Sequence, residues 1–276
     1  MSALTVLIDP GNFSTKYVYR HNGEVKNGVF HSIAHQYLKT ELNYSERIKR
    51  IDFAPWNYFI GEGAAALYPS KEHMYKGNVR KGHGEGIVRI IAALYEVSRE
   101  TGQNTFNIVT TSPYSSIIRD KQFFEKHIKG AHDCFVDEKP FSFTIENLRV
   151  AAEGLGVSSF GDTKDCVVVD VGSMTMNILH FADGVVIAER SKTLNGGSLK
   201  NSVEILADNF SKASSDVLYE ADIVVSGGKA KEVADRLKEI GYDNVSNVSL
   251  DQYPDYYVNI IGLFSNFEKK FEALFV

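Results

Sequence analysis

Cysteine is scarce in this chain: only Cys134 and Cys166 occur in 276 residues, too few for a disulfide framework and without ligand-like spacing. Both are expected to be reduced thiols in or near a core, as suits a cytoplasmic protein. Long apolar runs are missing as well. No stretch approaches the roughly 20 consecutive apolar residues that span a bilayer, and no basic region followed by an apolar run opens the chain. Neither membrane spanning nor secretion is expected. Basic charge is also in deficit: 30 Lys and Arg against 35 Asp and Glu leave a net charge of −5. That argues against direct nucleic-acid binding, which needs a basic face to displace counterions from phosphates. Two familiar nucleotide fingerprints, G-x-x-x-x-G-K-[ST] and G-x-G-x-x-G between strand and helix, do not occur. What is present, at 43% hydrophobic residues, is a globular chain long enough for two domains.

The chain contains one element twice. Set without a gap, 6-VLIDPGNFSTKYVYRHNGEV-25 and 167-VVVDVGSMTMNILHFADGVV-186 align Val6 with Val167, Asp9 with Asp170, Gly11 with Gly172, Ser14 with Thr175 and Gly23 with Gly184. Each copy reads as a β-branched strand, a Gly-containing turn and a returning strand. Asn22-Gly23 and Asp183-Gly184, dipeptides that favour type I′ hairpins, close the two copies. Two halves of the molecule are expected to begin alike.

Between these copies, 57-NYFIGEGAAA-66 belongs to an irregular, sheet-containing stretch. Ile87, Ile90, Ile91, Leu94 and Val97 recur at helical spacing, and acidic Glu85 at the start suits the helix dipole. A strand at 106–113, a helix at 115–129 and a strand at 141–152 follow, an α/β pattern. After a linker-like 158–165 the second copy begins. Residues 195–214 then read as a Gly-rich turn opening a helix with Val203, Leu206, Ala207 and Phe210 on one face. The strand 222–228 runs through Gly227-Gly228 into a helix at 229–241, an order of strand, glycines and helix that suits phosphate binding. A C-terminal helix with Ile260, Leu263, Phe264, Phe267, Phe271 and Leu274 in one stripe is expected to dock back on the first domain, with contact to another protomer as the alternative.

Two such hairpins, one opening each half, can face each other across a cleft, with turn glycines leaving backbone N–H groups free to approach phosphate oxygens. Asp9 and Asp170, each at a strand end, suit Mg²⁺ held largely through its waters. Lys16 on the returning strand can offset charge near the β- and γ-phosphates, and Asn177 takes its place in the second copy. His31 and His35 are four residues apart but lack a third ligand nearby, so no metal site is expected there. Trp56 and Tyr58 are expected to pack within the small sheet or to form a protomer contact.

The segments 8-IDPGNFSTK-16, 169-VDVGSMTMN-177 and 225-VSGGKAKEV-233 resemble the two phosphate motifs and the adenosine motif of the actin, Hsp70 and sugar kinase superfamily, and 255-DYYVNIIG-262 resembles its later connecting helix. Within that superfamily the chain is most similar to the ParM/AlfA group of bacterial plasmid-segregation actins. The resemblance implies an actin-like α/β fold of duplicated, ribonuclease H-like domains. Domain I would span 1–157 plus 255–276, with a smaller subdomain IB at roughly 20–82, and domain II would span 158–254. Only about 30 residues separate Gly197 from Gly227, enough for one helix and a strand, so subdomain IIB is expected to be absent.

By the same resemblance, Gly11, Asn12, Phe13, Ser14 and Lys16 hold phosphates from one side and Gly172, Ser173, Met174 and Thr175 from the other. Gly227, Gly228 and Lys229 line the adenosine, and Gly196, Gly197, Lys200 and Glu204 lie toward ribose and base. Glu153 matches the acid that orients or activates the attacking water, alongside Asp9 and Asp170 as catalytic carboxylates. Two positions depart from the pattern: Lys229 stands where relatives commonly have a small residue, and Asn177 where ParM-like sequences often have aspartate. The implied function is an ATP- or GTP-hydrolysing, Mg²⁺-dependent protein that self-associates into helical filaments. A small adaptor bound to a centromere-like plasmid site would supply the link to DNA. A small-molecule kinase of the same superfamily is the alternative, but no segment supplies its substrate pocket. A chaperone-type switch would need a further substrate-binding domain.

Overall fold

A computed structural model describes residues 3–37, 49–67, 80–160, 164–217 and 221–274. Contacts divide the chain into two units, Met1–Ser112 with Ser116–Ala151, and Pro113–Ser115 with Ala152–Val276.

In the first unit β1 (Leu4–Pro10), β2 (Ser14–His21) and β3 (Glu24–His31) form a meander. Asn22 and Gly23 both take positive φ (51° and 81°) between β2 and β3, as a type I′ turn requires. The short strands β4 (Ala34–Gln36), β5 (Lys49–Phe53) and β6 (Trp56–Ile60) follow. Part of the expected subdomain at 20–82 lies outside the described residues. Helix α1 (Gly84–Thr101) buries Ile87, Ile90, Ile91, Leu94 and Val97 against β1, β2, β5 and β6. Each of these side chains is worth about 1.5–3 kcal/mol when fully buried. The helix stops at Gly102, whose φ of 71° lets its N–H return to the Ser98 carbonyl. Strand β7 (Thr105–Ser112), helix α2 (Ile117–Ile128), and strands β8 (Gly130–Val136) and β9 (Lys139–Ala152) complete the unit. The sheet runs β3-β2-β1-β7-β9-β8-β5-β6-β4. Trp56 stacks near Phe53 (6.1 Å) and meets His127 edge-on (4.9 Å), a packing role as the sequence suggests.

The second unit is built on β10 (Cys166–Val171), every residue of which is buried and all but Asp170 apolar, a pattern found in strands covered on both faces. It pairs antiparallel with β11 (Thr175–Ala182), and Asp183 and Gly184, again at positive φ, lead into β12 (Val185–Val186). Strand β13 (Lys192–Asn195) also pairs β11. Between β13 and β14 (Ile223–Gly227) the described residues form one helix, α3 (Val203–Ala213), which packs on α4 (Ala230–Glu239). Strand β15 (Val245–Asn247) pairs β14, closing the order β12-β11-β10-β14-β15. Cys134 and Cys166 are buried.

Helix α5 (Val258–Leu274) packs on the turn at Leu155–Ser159 and on β14. Glycines bring the helix and that turn close together. A Cβ on Gly156 would lie 1.9 Å from the Asn259 carbonyl oxygen, and one on Gly262 would lie 1.9 Å from that of Gly156. The Asn259 side chain also accepts the Gly156 N–H at 2.9 Å. Ile260, Leu263 and Phe264 are buried; the side chains of Phe271 and Leu274 lie outside the described residues.

Candidate functional site

The register repeats between the units. Asp9 on β1 lies opposite Lys16 on β2, and Asp170 on β10 lies opposite Asn177 on β11. The parallel neighbour supplies a hydroxyl in each case: Thr111 Oγ1 donates to Asp9 Oδ1 at 2.7 Å, and Ser226 Oγ donates to Asp170 Oδ1 at 2.9 Å. The duplication thus extends one strand beyond the hairpin. Thr111 and Ser226 were not singled out from sequence; carrying the repeat on to 106–113 and 222–228 is the signal that finds them.

In the first unit Lys16 Nζ donates to Asp9 Oδ2 at 2.8 Å, and a second ammonium, Lys81 Nζ, lies 3.6 Å from Asp9 Oδ1 and donates to the Pro10 carbonyl at 3.3 Å. Burial alone would raise the Asp9 carboxyl. The charges of Lys16 and Lys81, with the hydrogen bonds from Lys16 and Thr111, override it and hold the group well below the usual carboxylate range. Two cations on one carboxylate leave a local positive excess suited to polyphosphate. The sequence reading missed Lys81 because its place is set from afar. Buried Asp120 accepts the Lys81 N–H at 2.9 Å and the Ser112 hydroxyl at 2.7 Å, and Arg80 lies 3.3 Å away.

The turn between β1 and β2 is held from α1, where Arg89 donates to the Ser32 carbonyl (3.0 Å), Asn12 Oδ1 (3.2 Å) and Glu85 Oε2 (2.9 Å). A Cβ at Gly11 would sit 2.6 Å from the Ser14 carbonyl oxygen, so this turn closes only around glycine. Ser14 and Asn12 are partly buried beside it. Phe13 is exposed and meets His31 edge-on at 5.3 Å, so its backbone rather than its ring belongs to the turn interior.

In the second unit three turns converge on one another. Ser198 N–H donates to the Gly172 carbonyl (2.9 Å), Leu199 N–H to Ser173 (3.1 Å), Gly196 N–H to Met174 (2.8 Å) and Gly228 N–H to Val171 (2.9 Å). A Cβ at Gly197 would lie 2.1 Å from the Gly172 oxygen, and one at Gly227, where φ is 88°, would lie 2.5 Å from the Val171 oxygen. Thr175 and Met174 are buried, so Met174 packs inward while its backbone bonds the neighbouring turn. Lys229 takes φ 60°, the backbone region that glycine would occupy without strain, and its ammonium donates to the Asn201 carbonyl at 3.1 Å. Lys200 and Glu204 are exposed at the start of α3.

Glu153 is 7% exposed, and its Oε2 accepts from Asn177 Nδ2 at 2.8 Å. Gly154, with φ 88°, turns the chain so closely past β10 that its Cβ would lie 3.0 Å from that of Asp170. The structure therefore groups Asp170, Glu153, Asn177 and the 172–175, 196–198 and 227–228 turns in the second unit, and Asp9, Lys16 and the 11–14 turn in the first. Among the described residues no three His, Cys, Asp or Glu side chains cluster to hold a metal ion alone. Asp170, beside Ser226, and Asp9, whose oxygens face Lys16 and Lys81, are single carboxylates, and Mg²⁺ bound by one or two carboxylates keeps most of its waters and takes further oxygens from phosphate. No helix of the described residues is long and apolar enough to cross a membrane.

Duplicated strand-turn-strand units, each ending in a carboxylate with a hydroxyl from the parallel neighbour, define an actin-like fold. The chain belongs to the actin-like protein family: residues 8–156 match the N-terminal domain of actin-like proteins. It is similar over 100% of both chains to an AlfA filament bound to AMPPNP, at 42% identity and a TM-score of 0.94. It is equally identical, 42%, to AlfA from the B. subtilis plasmid pLS32 in a filament structure, with 95% of this chain and 98% of that one covered and a TM-score of 0.90. An archaeal actin homologue shares the fold at 17% identity, with 97% and 99% coverage and a TM-score of 0.68. Comparison with curated proteins gives no match.

Proposed function

We propose that this chain binds and hydrolyses ATP or GTP with Mg²⁺, assembles into helical filaments, and segregates plasmid DNA through a small DNA-binding adaptor in the cytoplasm. The full-length similarity to an AMPPNP-bound AlfA filament is the observation that carries this reading. The residue-level chemistry supports it. Gly11, Asn12, Ser14 and Lys16 in the first unit and Gly172, Ser173 and Thr175 in the second serve phosphates. Asp9 or Asp170 would hold Mg²⁺ through its waters, and the metal would supply positive charge that offsets the phosphates. Lys16 supplies a cation beside the β- and γ-phosphates, Gly196, Gly197, Gly227 and Gly228 admit the nucleoside closely, and Lys200, Glu204 and Lys229 border it. Glu153 orients the attacking water. The single helix between β13 and β14 is in keeping with an actin lacking subdomain IIB.

Light scattering and sedimentation on adding Mg-ATP or Mg-GTP test the proposal. Nucleotide is expected to drive assembly of the wild type, and Asp170→Ala to weaken it. Glu153→Ala should still assemble while releasing phosphate roughly 100-fold or more slowly. A chain that stays monomeric with both nucleotides would overturn the filament reading, and unchanged phosphate release in Glu153→Ala would move the catalytic assignment elsewhere.

A further inference from the structure

We propose that Asn177 is a positioning residue for hydrolysis, holding the Glu153 carboxylate through an amide whose other end is pinned to Pro113–Ser115, the segment that links the strands of the first unit to α2. The inference rests on the reading of Glu153 as the acid that orients the attacking water.

Asn177 is 0% exposed, so each hydrogen-bonding position of its amide must be filled inside the protein. Nδ2 donates to Glu153 Oε2 at 2.8 Å. Oδ1 accepts from Thr193 Oγ1 at 2.7 Å and from the Tyr114 N–H at 3.1 Å. Thr193 Oγ1 in turn accepts the Ser115 N–H at 3.1 Å. The Tyr114 N–H and the Glu153 carboxylate fix the amide orientation, because reversing it would set NH₂ against the one and Oδ1 against the other. The chain of bonds runs in one direction, from backbone N–H through hydroxyl and amide to carboxylate, and each bond polarises the next.

The duplicated register shows that this arrangement is specific to the second copy. At the matching position Lys16 reaches the carboxylate directly opposite it, Asp9. Asn177 lies opposite Asp170 yet bonds Glu153, while Ser226 serves Asp170. A position that neutralises a strand-end acid in one half thus holds a different acid in the other. An apolar residue there would strip Glu153, Thr193 and the Tyr114 N–H of a shared partner. Aspartate would set a second carboxylate against Glu153, and the pair would have to share a proton.

The test measures phosphate release and nucleotide affinity in the full chain, with Glu153→Gln as reference. Asn177→Ala is expected to slow release roughly 10- to 100-fold while affinity stays within about 3-fold. Asn177→Asp should shift the acid limb of the pH–rate profile to higher pH, which a merely structural role would not do. Thr193→Val, nearly isosteric, should slow release by a smaller factor. In the Glu153→Gln background Asn177→Ala should add no further slowing. Asn177 variants with wild-type rates and pH profile beside a slow Glu153→Gln would overturn the positioning role and leave the hydrolytic reading intact. A Glu153→Gln protein at wild-type rate would instead sink the reading of Glu153, and this inference with it. If Asn177→Ala does not fold, Asn177→Asp and Thr193→Val decide by the same two readouts.

Discussion

Asp9 is the residue where charge is most concentrated, since each of its oxygens has an ammonium neighbour: Lys16 at 2.8 Å and Lys81 at 3.6 Å. Removing Lys81 separates the two. Lys81→Met keeps an apolar stem but leaves burial opposed by Lys16 and Thr111 alone, so the Asp9 carboxyl should titrate at higher pH than in the wild type. A group held below its unfolded value stabilises the fold above the unfolded carboxylate pKa, and that contribution is lost as pH falls through the folded value. The substitution should therefore cost roughly 1–3 kcal/mol near neutral pH, as for a charged hydrogen bond, and the deficit should shrink as pH falls below the folded Asp9 value of the variant. Urea unfolding of both proteins along an acid series checks this; a deficit that stays constant to the lowest pH at which both fold would show that Lys81 acts by packing. None of this was legible in the sequence. Lys81 reaches Asp9 only because Asp120, 39 residues further on, holds the Lys81 N–H, and a lone lysine in a polar stretch gives no periodic or motif signal.

Elements were legible where a local rule sufficed. The hairpins follow from strand alternation and the positive φ of Asn-Gly and Asp-Gly, and α1 from the 3.6-residue period of its buried face. Strand β8 was missed because polar His132 takes an inward position and apolar Ala131 and Phe135 take exposed ones, which hides its alternation, and only pairing with β9 and β5 makes it a strand. The close approach of α5 to the Leu155–Ser159 turn was not legible, because an apolar stripe says that a face is buried, not against what. The repeated turns read correctly as glycine turns, but their mutual bonding is a tertiary fact, and it sets the cost of substitution. Gly197→Ala would drive a Cβ to within 2.1 Å of the Gly172 oxygen and 2.8 Å of the Met174 nitrogen, both backbone atoms that cannot swing aside. A loss on the order of 1–3 kcal/mol is expected, together with weaker nucleotide binding as the 172–174 turn shifts. Gly184→Ala is the control. Its φ of 75° makes alanine strained, by about 1–2 kcal/mol, but no atom lies within 4 Å of the new Cβ, so binding should be unchanged. Unfolding midpoints and nucleotide titrations of the pair test this, and equal binding by both variants would refute the turn-to-turn account.

Across the whole molecule, acid is expected to weaken both units through buried imidazoles. His83 in the first unit and His180 in the second each have a buried Nε2 without a hydrogen-bond partner. Burial, aided by the charge of Arg89 and, more weakly, Lys81, lowers His83 to about 4, against a backbone hydrogen bond at Arg80 and the charge of Asp120. Burial likewise lowers His180, with Asp216 opposing and Lys192 and Arg190 assisting. A histidine held neutral by the fold contributes stability that is fully present above its unfolded pKa of about 6.5. As pH falls below that value the unfolded chain takes up protons that the folded chain refuses, so stability declines until the folded pKa is reached. For His83 the window runs from about 6.5 down to about 4, and the loss amounts to at most about 3 kcal/mol at one pKa unit per 1.36 kcal/mol. Asp9 adds to the decline at still lower pH, since its carboxylate is favoured only in the fold. His83→Gln keeps a neutral polar group of similar reach and removes the titration. Its unfolding midpoint in urea should therefore fall less than that of the wild type between pH 7 and pH 4.5, even if its stability at pH 7 is lower. Parallel declines in the two proteins would mean that His83 takes up its proton in the folded state, and that the buried imidazole is not what makes the first unit sensitive to acid.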